Sequence, residues 1–267
     1  MNRIIIGQYY PSRSYIHSLD PRVKLISVFI YITTLFFAKS AESYIIAGCC
    51  LLCVIYMSNV PIGYMLRGLR SIFVIIILTV SLNILFTPGE TPVAAFWVIT
   101  IYPEGIALAL KMAVRLVLLI TGSSVLTLTT SPISLTDAIE YILKPFKKIG
   151  VPAHDIAMMT TIALRFIPTL LEETDKIMKA QTARGAGFDT GGLIKKAKAM
   201  VPLLVPLFIS AFRRAEDLAT AMEARCYRGD IGRTKMKQLT LTRSDLKAVA
   251  CVAAYTLAII GLYFLRP

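Results

Sequence analysis

The chain has 267 residues, 56% of them hydrophobic and only 17% charged, and its 29 lysines and arginines outnumber 16 acids for a formal charge of +13. A soluble domain carries about 25% charged residues, so several long apolar runs separated by charged segments describe a polytopic membrane protein rather than a soluble one. The basic excess is what cytoplasmic membrane loops carry. Nucleic-acid binding is set aside, because nearly all of the chain is apolar or amphipathic.

Five cysteines do not form a disulfide framework in this reading. Cys49, Cys50 and Cys53 share one apolar run, Cys251 lies in another and Cys226 in a basic segment. Buried cysteine behaves as a small hydrophobe. Only two histidines occur, His17 and His154, far apart in sequence, which argues against a histidine-based metal site. No cleavable signal peptide is read at the start, where Arg3, Arg13 and Asp20 surround one short apolar triplet.

Asp20-Pro21 marks a helix start, with Asp as N-cap and Pro at the first helical position. The first span follows, about Val23 to Ala38, with Lys24 and Lys39 expected to snorkel to the interfaces. A second runs from about Ser43 to Val60 and ends at Pro61 and Gly63. After a basic loop with Arg67 and Arg70, a third covers about Ser71 to Phe86. The apolar stretch Val93 to Tyr102 is too short to cross, since a span needs about 20 residues; it reads as an interfacial or re-entrant segment with Phe96, Trp97 and Tyr102 at headgroup level. The fourth span is about Gly105 to Thr129. It carries Lys111 and Arg115 on one face, with Lys111 expected to snorkel and Arg115 to bond carbonyls inside the bundle. The fifth is about Leu246 to Leu265.

The segment between Ser131 and Lys247 holds 19 basic against 12 acidic residues, while the opposite loops hold only Lys39, Glu42, Glu90 and Glu104. The distribution of basic residues therefore puts the N-terminus in the cytoplasm and the C-terminus outside, with five spans.

Residues 131–242 are too charged to span and too apolar for a disordered loop. One amphipathic helix is expected from Ser131 to Lys148 and a second from about Ala153 to Arg184, kinked at Pro168. A third runs from about Leu193 to Arg225, with Pro202 and Pro206 in its first half. The last two end alike, in Ala183-Arg184-Gly185 and Ala224-Arg225-Cys226, each followed by an aromatic, Phe188 and Tyr227. A cation at a helix C-terminus is ordinarily a cap that complements the macrodipole. Its repetition on two long helices of one loop is the unusual feature.

These residues resemble the transmembrane family of energy-coupling factor (ECF) transporters, the EcfT/CbiQ/BioN type. Alongside the two arginine tripeptides, His17-Ser18-Leu19-Asp20-Pro21-Arg22-Val23-Lys24-Leu25 is similar to that family's N-terminal motif. Leu164-Arg165-Phe166-Ile167-Pro168 with Gln181-Thr182-Ala183-Arg184-Gly185 is similar to its central one, and Ala221 to Tyr227 to its second coupling motif. One departure is Cys226 where the family has Gly; a Cβ resists the left-handed conformation, so a locally different helix end is expected there.

The resemblance implies an all-α membrane protein of about five transmembrane helices: spans one to four in residues 1–130, coupling helices in 131–242 and a last span in 243–267. It implies a non-catalytic coupling subunit in a bacterial or archaeal cell membrane. Two cytoplasmic ATPases of the EcfA and EcfA-prime type would dock on Ala183, Arg184, Gly185 and on Ala224, Arg225, Cys226. A separate membrane S-component would bind the vitamin or metal ion. Cofactors bind nowhere on this chain in that scheme; ATP and magnesium belong to the partner ATPases. Consistent with this division, the sequence has no phosphate-binding Walker pattern and no Gly-Lys dipeptide. Small and soft residues of the two long helices, Ala157, Met158, Met159, Ala163, Ala211, Ala215 and Met222, are candidates to face the S-component. The alternative is a stand-alone secondary transporter or channel, which would carry mid-membrane acids or internal repeats; the five apolar runs contain no Asp or Glu.

Overall fold

The computed structural model describes residues 9–89, 94–96, 99–186, 192–229 and 239–265. Trp97, Gly187 and Phe188 lie outside the described residues. The elements are helices α1 (Tyr15–Ser18), α2 (Pro21–Phe37), α3 (Ala41–Ser58) and α4 (Ile62–Phe86), strands β1 (Ala94–Phe96) and β2 (Ile99–Ile101), then α5 (Pro103–Thr129), α6 (Pro132–Leu143), a 3-10 turn (Lys144–Ile149), α7 (Ala153–Ala183), α8 (Leu193–Ala224) and α9 (Arg243–Leu265). The expected helical architecture is present. Two features modify it. The segment read as interfacial or re-entrant contributes, among its described residues, two short antiparallel strands, with Ala95 opposite Thr100. The single helix expected over 131–148 is instead α6 followed by the 3-10 turn. Pro145 supplies no N–H for an α-helical ladder, so the chain tightens after Leu143.

The chain divides into two compact units, residues 1–138 with 238–267, and residues 139–237. In the first, α3, α5 and α9 are each long and apolar enough to cross a membrane. A fourth crossing is available if the two arms of α4, Ile62–Arg70 and Ile72–Phe86, act as one span bent by 57°. The loop expected around Arg67 and Arg70 is thus helical, forming the first arm of α4. The helix α2 has 17 residues.

Helices α2 and α5 pack antiparallel along a seam with heptad steps. Lys24 Nζ donates to Thr129 O at 3.1 Å, the Tyr31 ring lies 2.8 Å from where a Gly122 Cβ would stand, and Arg115 NH2 donates to Ala38 O at 3.1 Å. Each pair is one heptad along α2 and one heptad back along α5, the spacing of antiparallel helices wound gently around each other. Gly122 lets the aromatic ring sit against the α5 backbone, as small residues do where membrane helices approach closely. Around this seam the buried side chains of Leu35, Leu51, Val125, Leu128, Tyr255 and Ile259 form the core.

Arg115 behaves as expected inside the bundle. Besides Ala38 O, its guanidinium reaches Tyr44 Oη at 2.7 and 3.1 Å, while Lys111 is exposed. Lys24 does not snorkel. It is 7% exposed, and its ammonium donates to His17 O and Thr129 O. Two carbonyls at the helix ends answer the charge internally, which a buried ammonium requires.

In the second unit, α7 and α8 pack antiparallel. Glu173 meets Ser210 and Arg214, while Met158, fifteen residues earlier on α7, meets Tyr227 just beyond the end of α8. Pro168 lies within α7, and Pro202 and Pro206 within α8; both helices continue past them.

Candidate functional site

The two arginine tripeptides fold into the same structure. Helix α7 ends with Gly185 N–H donating to Thr182 O (2.9 Å) and Ala186 N–H to Gln181 O (3.0 Å). Helix α8 ends with Cys226 N–H donating to Glu223 O (2.9 Å) and Tyr227 N–H to Met222 O (3.0 Å). Both are Schellman caps, in which the residue after the cap turns left-handed so that the last carbonyls find donors. Gly185 has φ +89° and Cys226 has φ +54°.

The local difference at Cys226 is confined to the dihedral, its φ being +54° against +89° at Gly185, while the cap hydrogen bonds are the same. The six-residue cap hydrogen bond sets the backbone and the cysteine follows it, accepting a conformation that costs a residue with a Cβ about 1–2 kcal/mol. Each cap residue is an arginine, Arg184 and Arg225. Both arginines are exposed, and neither side chain makes a hydrogen bond or ion pair among the described residues. The turn that follows stops the helix one residue later, so each arginine sits at a helix C-terminus, where the negative end of the dipole favours a cation.

Because α7 and α8 run antiparallel, their C-termini lie at opposite ends of the pair. Arg184 is separated from Met158, which touches the Arg225 end, by about 40 Å of helix at 1.5 Å per residue. One ionic network fixes the register between them. Ser210 Oγ donates to Glu173 Oε1, and Arg214 Nη2 donates to Glu173 Oε2 at 2.9 Å. The Ser210 hydroxyl, with the Arg214 guanidinium, holds the Glu173 carboxyl below the usual carboxylate range. Nothing in the local sequence pattern marks this trio, since its members come from two helices.

The candidate partner-facing residues separate into three sets. Met159 and Ala163 are exposed. Ala211, Ala215 and Met222 line a shallow apolar groove of the helix pair together with Phe166 and Leu170. Met158 is half-buried and accepts a hydrogen bond from Tyr227 on its sulfur, and Ala157 is buried. A larger apolar face, missed in the candidate set, lies on α8, where Phe208 and Phe212 are 65% and 62% exposed with ring centroids 4.7 Å apart. Val201, Leu204, Val205 and Ile209 are exposed beside them in sequence. The periodicity of apolar residues along a helix does not say whether the stripe is covered.

Apolar helices long enough for a bilayer, together with an amphipathic antiparallel pair that falls in sequence before the last of them, define a helical membrane protein with two exposed arginine ends. Residues 12–237 match the family model of CbiQ, the cobalt transport protein. The energy-coupling factor transporter transmembrane protein EcfT of Clostridium kluyveri is 57% identical over 249 residues, 93% of this chain and 92% of that protein. EcfT of Acidaminococcus fermentans is 52% identical over 267 residues, 98% of this chain and 97% of that protein. EcfT of Bacillus subtilis is 44% identical over 266 residues and covers this chain end to end. The chain belongs to this family of energy-coupling factor transporter transmembrane proteins. It is a membrane component of transport.

Proposed function

We propose that this chain is the coupling subunit of its transporter, carrying ATP-driven motion from two cytoplasmic ATPases to a substrate-binding membrane partner that takes up a vitamin or metal ion. The observation that carries the reading is the duplicated cap: two exposed arginines on left-handed turns with the same hydrogen-bond pattern, at opposite ends of one antiparallel helix pair. Opposite ends suit two separate motor subunits, one at each tip. Arginine suits the task because its planar fork pairs bidentately with a carboxylate and keeps its charge when partly desolvated. Removing one partner of such a pair costs about 2–5 kcal/mol.

Motion applied at a tip travels along a helix whose register against its neighbour is held by Glu173, Ser210 and Arg214. The exposed apolar residues Met159, Phe208 and Phe212 then offer the membrane partner a soft, re-packable surface. The chain itself performs no ATP chemistry in this scheme; nucleotide and magnesium bind the ATPases. The sequence without a Walker pattern supports that division.

The topology proposed is five crossings in a bacterial or archaeal cell membrane, with a cytoplasmic N-terminus and an outside C-terminus. Its support is that Asp245 at the head of α9 bonds Asp20 at the head of α2, while Lys24 bonds Thr129 at the foot of α5. Four crossings by α2 to α5 return the chain to the side where it began, and α9 starts there.

Substrate uptake by cells carrying the complex tests the reading. The double variant Arg184→Ala, Arg225→Ala is expected to abolish uptake while the protein still inserts in the membrane. Wild-type uptake by that variant overturns the proposal, and uptake by this chain alone in liposomes favours a stand-alone transporter.

A further inference from the structure

The two caps share a backbone but not a brace. Two residues beyond Arg225 stands Tyr227; the same position after Arg184 is Ala186, whose methyl group can make no hydrogen bond. Tyr227 is half-buried, with its Oη 2.9 Å from Met158 Sδ and 3.4 Å from His154 Nε2. His154, in the first turn of α7, sets its Nδ1 3.1 Å from Glu140 Oε1 on α6. The His154 and Glu140 side chains are only 14% and 18% exposed, so these contacts are largely shielded from water and correspondingly stronger. A bond at one imidazole nitrogen orients the ring and fixes what the other nitrogen meets. Side chains from α6, from the head of α7 and from the foot of α8 therefore converge beside the Arg225 tip.

Resting on the docking reading above, we propose that His154 is a positioning residue for the second tip: oriented by Glu140, it holds Tyr227 and so presets the direction of Arg225. The Arg184 tip, with alanine at the corresponding place, has no such brace from its own cap. The pair then presents one preset handle and one adaptable handle. A preset group forgoes the ordering cost that an adaptable one meets on binding. The two ATPase contacts are accordingly unequal, although the two caps are alike in backbone.

The full-length chain in lipid nanodiscs, with Cys49, Cys50, Cys53 and Cys251 replaced by serine, allows a nitroxide label on the native Cys226. His154→Ala and Tyr227→Phe are expected to raise the label's mobility, while Glu140→Gln, which keeps an acceptor toward Nδ1, raises it less. A label on Ala183→Cys, in the Cys226→Gly background, is expected to be indifferent to all three. In the Arg184→Ala background, where only the second tip remains, Tyr227→Phe is expected to weaken ATPase binding about five- to tenfold, the worth of one net hydrogen bond. In the Arg225→Ala background the same change leaves binding unaltered. Unchanged mobility at Cys226 in both His154→Ala and Tyr227→Phe overturns the proposal. So does raised mobility with unchanged ATPase affinity, because the contact would then hold the tip without directing it. Failure of the unsubstituted chain to bind ATPases overturns the docking reading instead, and the label mobility still reports the brace.

Discussion

Asp245 accepts a hydrogen bond from the backbone N–H of Asp20 at 2.8 Å, joining the heads of α9 and α2 across 225 residues of chain. Its second oxygen accepts from Thr242 N and Thr242 Oγ1 at 2.8 and 2.7 Å, closing the N-terminus of α9 in the manner of a capping box. One carboxylate therefore caps its own helix and ties it to the first span of the bundle. It is 2% exposed. This explains why the residues His17 to Leu25 matter structurally: they supply Asp20, the carbonyl of His17 and the ammonium of Lys24 to one polar junction.

Asp245→Ala leaves two backbone N–H groups without their acceptor in a buried place. The expected loss is about 3 kcal/mol, since bonds to a charged acceptor are worth about 1.5–3 kcal/mol each and orphaned donors add to the cost. Thermal unfolding in detergent should show a lower apparent midpoint for Asp245→Ala and a smaller drop for Asp245→Asn. An unshifted midpoint in the alanine variant would mean that the junction does not hold α9 to α2.

Burial pushes the His17 imidazole below its ordinary value of 6.5, and the nearby Lys24 charge pushes in the same direction. The ring is placed for its neutral form, with Nδ1 2.7 Å from Ser14 Oγ and Nε2 3.0 Å from Tyr10 O. A folded-state value below the unfolded one stabilises the fold above the unfolded value, and that contribution is lost as pH falls below about 6.5. Unfolding midpoints measured between pH 7.5 and pH 5 should decline, and His17→Gln should flatten the part of the decline that this ring causes. An identical slope in both proteins would remove His17 from the account.

Cys226 occupies a left-handed position at a strain that glycine avoids. Cys226→Gly is expected to stabilise the end of α8 by about 1 kcal/mol, and Gly185→Ala to destabilise the end of α7 by about the same amount. Hydrogen exchange at the Tyr227 and Ala186 amides, which close the two caps, reports each change locally. Slower exchange at Tyr227 in Cys226→Gly is the expected sign; faster exchange would show that the thiol makes a compensating contact.

Much of the architecture was legible because it is local. Asp20-Pro21 announces the head of α2, and the arginine tripeptides the feet of α7 and α8. What stayed hidden is pairing between distant segments. The stacking of Tyr31 on Gly122 needs two helices aligned along a common seam, and neither helix carries that register by itself. Lys24 reads in sequence as an interfacial lysine; its carbonyl partners, His17 O and Thr129 O, belong to other segments and leave no local trace. In sequence His154 is one of two distant histidines; Glu140 and Tyr227 reach it from 14 and 73 residues away. The first arm of α4 is hidden because Arg67 and Arg70 resemble a loop in composition, although arginine is a good helix former.

The most direct test of the coupling role counts the ATPases that travel with this chain. Native mass measurement of the complex purified through it should find two ATPase subunits with the unsubstituted protein, one with Arg184→Glu or Arg225→Glu alone, and none with both. Two ATPase subunits retained by the double variant would contradict the account.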